Sequence, residues 1–541
     1  MASVGDVDSQ DPAVAYTVTY FTTVARGAVR TLLTYPSSPS YNEQITLTPD
    51  LATSLGQHNK SATVWKYTLK PGLKYGPAIG GANAAGVTGQ PITSYDIKYA
   101  IERLFLPSVG AGYPFYYTEI KGVKQFQALN KTPGPMKGQI SGIKTPNART
   151  IIFNLTKPVG DWDYRMAMPA TGPVPQKYAQ KYDGQKTSTY AQHVVYTGPY
   201  YVADYKPKTS MVLKRNPQWS ANTDNARAAY VDGMNWKQGF DSDVCVQKAL
   251  SNDYDVALQD CPPVGAQLQK IVTSLSAQQH IFIGPEPCTG YFFLNTSLKP
   301  FSDQKVRQAV NWVIDKDNLI KLLGGPYASI PGSSILPPGM LGYLPSNKFD
   351  PFAGAPNLSK AKQLMKQAGY ANGYKGQLLL VGDSTPPVPQ MFQSVKQDLA
   401  KIGITNLKIK TLPYPDYYTQ YLEIPAKHVA AGFAAWCEDF PSPTSFMTPL
   451  LYGPSILQQG NSNYSMMNDP ELNAAIKKAS ETTGSAAKAA WEKANRLATL
   501  KAPWVPYRWY KARIVVSNNL TNAFFHSYYE WIDWPNVGVK S

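Results

Sequence analysis

Four consecutive residues, Trp436-Cys437-Glu438-Asp439, close an almost wholly apolar run from His428 to Trp436. Such a run reads as a strand buried on both faces, and acids just past its carboxyl end stand where open α/β sheets collect ligands. An ionised carboxylate there can hold a cation through charge-assisted hydrogen bonds, although acids at loop ends are also common without any such task. The rival chemistry is hydrolysis by Glu438 and Asp439 as a carboxylate pair. Neighbours on an extended chain point to opposite sides, so they make a poor acid/base pair for one bond. Nothing else suggests catalysis: there is no Gly-x-Ser-x-Gly, His-Glu-x-x-His, Walker or dinucleotide loop, and the 5 histidines (58, 193, 280, 428, 526) lie far apart. The reading is a binder rather than an enzyme, without a cofactor.

The 4 cysteines, at 245, 261, 288 and 437, form no CxxC or Cys/His cluster. That pattern argues against zinc or any other metal and for two disulfides in an oxidising compartment. Three pairings are open. The local choice joins Cys245 to Cys261, a loop whose closure is worth about 3 kcal/mol, and leaves Cys288 for Cys437. The net charge of +16, from 52 Lys+Arg against 36 Asp+Glu, is scattered without a basic run of five or interleaved aromatics. It indicates a soluble surface with weak attraction to anions, and no nucleic-acid partner. No apolar stretch reaches the length of about 18 residues that a membrane helix needs. The start, MASVGDVDSQDP, lacks the basic end and apolar core of an export signal. The cysteines favour an exported protein whose signal is absent from this sequence over a cytosolic one.

These residues need elements to position them. The 541 residues suffice for about two to four domains. Trp65 to Lys70 alternates as a strand and turns at Pro71-Gly72. Thr93 with Asp96 resembles a capping box, with Ile97, Ala100, Ile101 and Leu104 at helical spacing behind it. Tyr200 to Arg215 reads as a β-hairpin ending at Asn216-Pro217. Tyr291 to Leu294 reads as a short buried strand, and Ser302 or Asp303 caps a helix bearing Val306, Ala309, Val310 and Val313. Gln377 to Val381, a helix near 389–402 stopped by Gly403, and Ile404 to Leu412 form a β-α-β unit with a right-handed crossover. Helices near 470–480 and 485–500 precede a last strand at Pro503-Trp-Val-Pro506. The fold class is α/β.

Taken in order, these residues resemble a known family. The anchors are Asp11-Pro12 and Leu32 to Tyr35; Pro91 to Asp96 running to Ala100-Ile-Glu-Arg103; Thr197 to Tyr200 with Leu213 to Pro217 and Trp219; Asn295; Val306 to Ala309 with Ile314-Asp315; Pro337 to Met340; and Trp436 to Asp439. Over nearly the whole chain they are similar to the large peptide-type solute-binding proteins, family 5, the oligopeptide- and dipeptide-binding subunits of bacterial ABC importers.

The resemblance implies a two-lobed, type II periplasmic-binding-protein fold (a Venus flytrap) with an additional subdomain. Residues 1–48, 187–287 and 506–541 would form the first lobe, 49–186 its extra subdomain and 288–505 the second lobe, closing as a hinge around the solute. It implies that Asp439, ahead of Pro443 to Phe446, holds a peptide's α-ammonium, with Trp436 and Phe440 beside it. Tyr20, Phe21 and Tyr116 would line the site from the first lobe, or simply pack in its core. It pairs Cys437 with Cys288 and leaves Cys245 with Cys261. The partners implied are a peptide or similarly sized solute and the importer's membrane permease, served by an extracytoplasmic, lipid-anchored or periplasmic monomer. Within the family an oligosaccharide or other non-peptide solute is the main alternative cargo.

Overall fold

Thr93 and Asp96 cap one another, the backbone N–H of Thr93 donating to Asp96 Oδ2 at 2.8 Å, and the helix Ser94–Arg103 starts there. In the computed structural model, which describes residues 1–541 apart from Ala85, Tyr414, Pro415 and Ser541, this helix buries Ile97, Ala100 and Ile101. It ends on a buried cation. Arg103 donates to both oxygens of Asp11 at 2.8 and 2.7 Å and to both of Asp183 at 2.8 and 2.7 Å. Two of the sequence anchors, Asp11 and Arg103, are therefore one ion pair. Burial alone would lift the Asp183 carboxyl, but the Arg103 guanidinium holds it below its ordinary value.

The chain divides into two compact units, Met1–Gly284 with Ala512–Ser541, and Pro285–Lys511. The first contains a four-stranded sheet in the order Gln57–His58, Val64–Thr68, Thr150–Asn154, Ile143–Asn147. Trp65 and Tyr67 of this sheet face inward while Lys66 between them is exposed, the two-residue period of a half-buried strand. A three-stranded antiparallel sheet comprises Tyr200–Lys206, Ser210–Arg215 and Gly233–Lys237. Its core is tied to the end of the chain: Arg26 donates to Asp533 at 2.6 and 2.9 Å. Arg30 and Arg227 share Asp50, at 2.7 and 3.1 Å. Cys245 is bonded to Cys261 in this unit.

The second unit is built on a mixed sheet whose elements, in chain order, are β1 (Ile281–Leu294), α1 (Gln304–Val313), β2 (Ser329–Pro331), β3 (Leu378–Asp383), α2 (Val388–Ala400), β4 (Leu407–Leu412), β5 (Ala431–Cys437), α3 (Thr444–Leu451), α4 (Ala486–Lys501) and β6 (Trp504–Val515). The six strands lie in the order β2-β6-β1-β5-β3-β4. β3 and β4 are parallel and joined through α2, which Gly403 ends by adopting φ 78°. β5 runs parallel to β3 and antiparallel to β1.

Both faces of this sheet are covered. Phe292, Leu294, Ala431 and Phe433 belong to one cluster, with Val306, Ala309, Val310 and Val313 of α1. Tyr291, Phe293 and Ala434 belong to the other. Asp303 caps α1 by accepting from the Lys305 N–H at 2.7 Å.

Two expectations change. Tyr291 to Leu294 is the end of a 14-residue strand rather than a short one. Its first half carries Gly284, Pro285 and Pro287, local breakers that tertiary pairing overrides. β5 begins at Ala431 rather than His428, because a turn at Pro425–Lys427 leaves His428 left-handed at φ 50°. The chain passes between units inside β1 and again inside β6.

Candidate functional site

The Trp436-Cys437-Glu438-Asp439 segment sits where β5 runs out. Cys437 lies opposite Cys288 and Trp436 opposite Thr289 on β1, and the two cysteines are bonded. The Glu438 N–H donates to the Pro287 carbonyl at 3.1 Å, continuing the ladder one residue past the strand. The following turn is held as well. Trp436 Nε1 donates to the Ser445 carbonyl in the first turn of α3 at 3.0 Å. Ser445 Oγ reaches the Phe440 and Ser442 carbonyls at 2.9 Å each. Phe440 is wholly buried. Asp439, half-buried, thus lies between a stapled strand end and a pinned turn, as a preorganised ligand group requires.

The two acids differ. Glu438 keeps some exposed surface, yet burial first, and the charge of Asp439 second, push its carboxyl well above the ordinary range. Two neighbouring carboxylates cannot both ionise cheaply. The charge of Asp439 thus opposes a second charge at Glu438 beside it. Behind it, Tyr418 Oη accepts from the Ala435 N–H at 3.3 Å, and Tyr291 stacks on Trp504 with ring centres 3.6 Å apart.

Tyr20, Phe21 and Tyr116 belong to the first unit, and Tyr113 joins them into one aromatic group. Tyr20 meets Phe21 edge-on at 6.4 Å, Phe21 meets Tyr113 at 6.1 Å, and Tyr113 stacks on Tyr116 at 6.3 Å. Tyr20 is wholly buried and Tyr116 nearly so, whereas Phe21 keeps partial exposure. Packing is what Tyr20 does here.

Sequence reasoning did not single out Arg508 on β6. Its guanidinium carbon sits 3.6 Å from the centre of the Tyr510 ring and 5.9 Å from that of Tyr507. Its Nε is buried and donates to no acceptor among the described residues. The available signal was a lone arginine within Pro506-Tyr-Arg-Trp-Tyr510, an otherwise aromatic strand.

Comparison with known proteins agrees with this architecture. The structure titled clavulanic acid biosynthesis oligopeptide binding protein 2 superposes with a TM-score of 0.90 at 27% identity, covering 100% of this chain and 95% of that one. The periplasmic oligopeptide-binding protein OppA of Salmonella typhimurium is 24% identical over 400 residues, 73% of this chain and 67% of its own. Heme-binding protein A of Haemophilus influenzae is 25% identical over 426 residues, 76% and 70% of the two chains. Residues 46–457 match the middle-region model of one family, and the chain belongs to it: the bacterial extracellular solute-binding proteins, family 5.

Proposed function

We propose that the protein captures a peptide, or a peptide-like solute with a free amine, outside the cytoplasm and delivers it to the permease of an ABC importer. The observation that carries the reading is the placement of Asp439. It is a carboxylate just past the end of a central strand, with its backbone fixed on both sides by the Cys288–Cys437 bond and the Trp436–Ser445 hydrogen bond. A primary ammonium facing it gains a charge-assisted hydrogen bond, stronger than an exposed ion pair. The peptide main chain then pairs with strand edges, which tolerates many side chains. Trp436 and Phe21 are assigned as contacts, while Tyr20, Tyr116 and Phe440 support them from the core.

No catalytic step is assigned. The division of labour follows the family: residues 49–186 an added subdomain of the first lobe, the protein an exported monomer, periplasmic or lipid-anchored. Among the described residues no helix is long and apolar enough to cross a membrane.

Thermal-shift screening tests the reading. A peptide at about 100 times its dissociation constant stabilises the protein by about 2.7 kcal/mol. Asp439→Asn removes that shift while the unliganded melting temperature stays put. Normal peptide shifts in this variant would sink the assignment. A second reading, an oligosaccharide, draws on Tyr16, 46% exposed and stacked on Tyr113 at 4.9 Å; sugars stack on such faces. It predicts shifts with sugars and none with peptides.

A further inference from the structure

Residues 49–186 hold seven acids against seventeen Lys or Arg, and the structure sorts the two signs by depth. Every acid is turned to a partner within the first unit. Asp50 serves Arg30 and Arg227, Asp183 serves Arg103, and Asp161 with Glu119 serves Arg165. Asp96 caps its helix at Thr93, Asp163 accepts from the Gly56 N–H and the Tyr67 hydroxyl, and Glu102 accepts from the Ile140 N–H. All seven acids are buried or half-buried, whereas thirteen of the cations are exposed, twelve lysines and Arg149. Among the described residues only one of those thirteen, Lys157, pairs with an acid, Glu119 at 3.4 Å.

Ordinary protein surfaces intersperse the two signs. The rest of the first unit does so, exposing Asp8, Glu43, Asp204, Asp232 and Asp241 among its own cations. Along the sequence the lysines of 49–186 are scattered, and it is the inward turn of the acids that leaves a surface of one sign.

The four-stranded sheet gives that surface a flat centre. Trp65, Tyr67, Ile151 and Phe153 take its inner face, so the residues between them point outward. Lys66 and Lys144 are both register partners of Ile152, one from each side, which sets two exposed lysines about 10 Å apart on one row of the outer face. Lys121 is held at the end of the same strand. Its N–H donates to the Asn154 carbonyl at 2.9 Å and its carbonyl accepts from the Gly142 N–H at 2.7 Å, while its side chain is exposed. Lysines are compact hydrated charges without the planar fork of arginine, and an isoleucine rather than an aromatic ring lies between Lys66 and Lys144. Such a face neither grips one phosphate bidentately nor stacks a base. It suits a broad layer of negative charge.

We propose that this outer sheet face docks on a bilayer containing anionic phospholipid. The headgroup layer is the broad anionic partner that flat charge carried on lysines complements, and each lysine close to it is worth about a fivefold gain in adsorption. A protein that hands solute to a membrane permease meets that permease more often when it is held at the membrane. The proposal rests on the importer reading given above for the place of work, and not on the cargo.

The test is co-sedimentation of the full chain with vesicles of phosphatidylcholine, alone or with about one-third phosphatidylglycerol, at about 0.05 and 0.5 M salt. Lys66→Glu/Lys144→Glu and the milder Lys66→Gln/Lys144→Gln probe the face. Lys362→Glu/Lys366→Glu makes the same change in net charge at exposed positions of the second unit. Wild type is expected to bind the anionic vesicles at low salt, to ignore neutral ones, and to bind at least tenfold more weakly at high salt. The Gln pair loses at least tenfold and the Glu pair more, while the second-unit pair loses less than threefold. Should the Glu pair fail to fold by its melting temperature, the Gln pair decides. Equal binding to neutral and anionic vesicles, or an equal loss in the second-unit pair, overturns the proposal. So does displacement from vesicles by soluble polyphosphate at the same phosphate concentration, which would make a soluble polyanion the partner. Peptide thermal shifts on the same samples keep the two readings apart: shifts kept without vesicle binding sink the docking face alone, and vesicle binding without shifts sinks the peptide reading alone.

Discussion

Gly290 makes room for Arg508. A Cβ at position 290 would stand 3.0 Å from Arg508 Cγ and 3.1 Å from its Nε, with the Tyr507 hydroxyl also at 3.1 Å. The arginine stem lies across β1 only because that residue has no side chain. Gly290→Ala should therefore displace the guanidinium by tenths of an ångström without unfolding the sheet. The expected result is a loss of about 1 to 3 kcal/mol in denaturant titration, the cost of overpacking a close-fitting contact.

Asp439 can be probed from the ligand side. N-acetylation removes the ammonium and leaves the peptide backbone intact, so acetylated peptides should bind wild type at least tenfold more weakly than free ones. Asp439→Asn should bind both forms alike. A wild type indifferent to acetylation in direct titration would remove this residue from the site.

The bond between Cys288 and Cys437 spans 149 residues of chain. Loop-closure entropy values such a crosslink at about 5 kcal/mol. The Cys288→Ala/Cys437→Ala double variant should lose about 2 to 5 kcal/mol in denaturant titration, and wild type should lose more on reduction, which also opens the Cys245–Cys261 bond.

Arg103 sits between Asp11 and Asp183 with almost no exposed surface. Arg103→Met leaves two buried carboxylates facing each other without a cation. Removing one partner from such a cluster costs about 3 to 5 kcal/mol, which should appear as a large drop in melting temperature at pH 7. The drop should shrink toward pH 4, where the stranded acids take up protons.

Glu102, next along the helix, makes the opposite case. It is 2% exposed, accepts from the Ile140 N–H at 2.8 Å and lies 3.8 Å from Lys98. Burial raises its carboxyl from 4.5 to about 7. A raised native pKa means the folded state holds the proton more tightly, so the stability it contributes is whole below pH 4.5 and is lost as pH climbs through 7. Each pKa unit is about 1.4 kcal/mol, giving a loss on the order of 3 kcal/mol by pH 8. Glu102→Gln carries no titrating charge, so it should match wild type at pH 4 and melt higher at pH 8.

Where the controlling interaction is local, the sequence was readable. The Thr93–Asp96 cap, the Tyr200 to Arg215 hairpin, and α2 between two parallel strands follow from spacing and turn residues within a few positions. The full length of β1 does not, because Gly284, Pro285 and Pro287 argue against a strand until distant partners supply its hydrogen bonds. Arg508 was illegible for a related reason: its stack on Tyr510 and its fit against Gly290 belong to its surroundings in space. For Tyr20 the sequence left lining and core packing both open, because its burial is decided by neighbours distant in the chain. The acids at 438 and 439 stood out because the apolar run before them is a strand signal in itself.

The return of the chain through β6 has a consequence for biogenesis. Residues 512–541 supply Asp533 to Arg26 and place Trp531 and Trp534 in the core of the first unit, but a ribosome delivers them only after the whole of the second unit. The contiguous second unit can complete itself while its sibling still waits for its final segment. Until then an internal arginine is left without its counter-ion and a tryptophan-lined gap stays open, so the nascent first half is the portion that chaperones or proteases would meet unfinished.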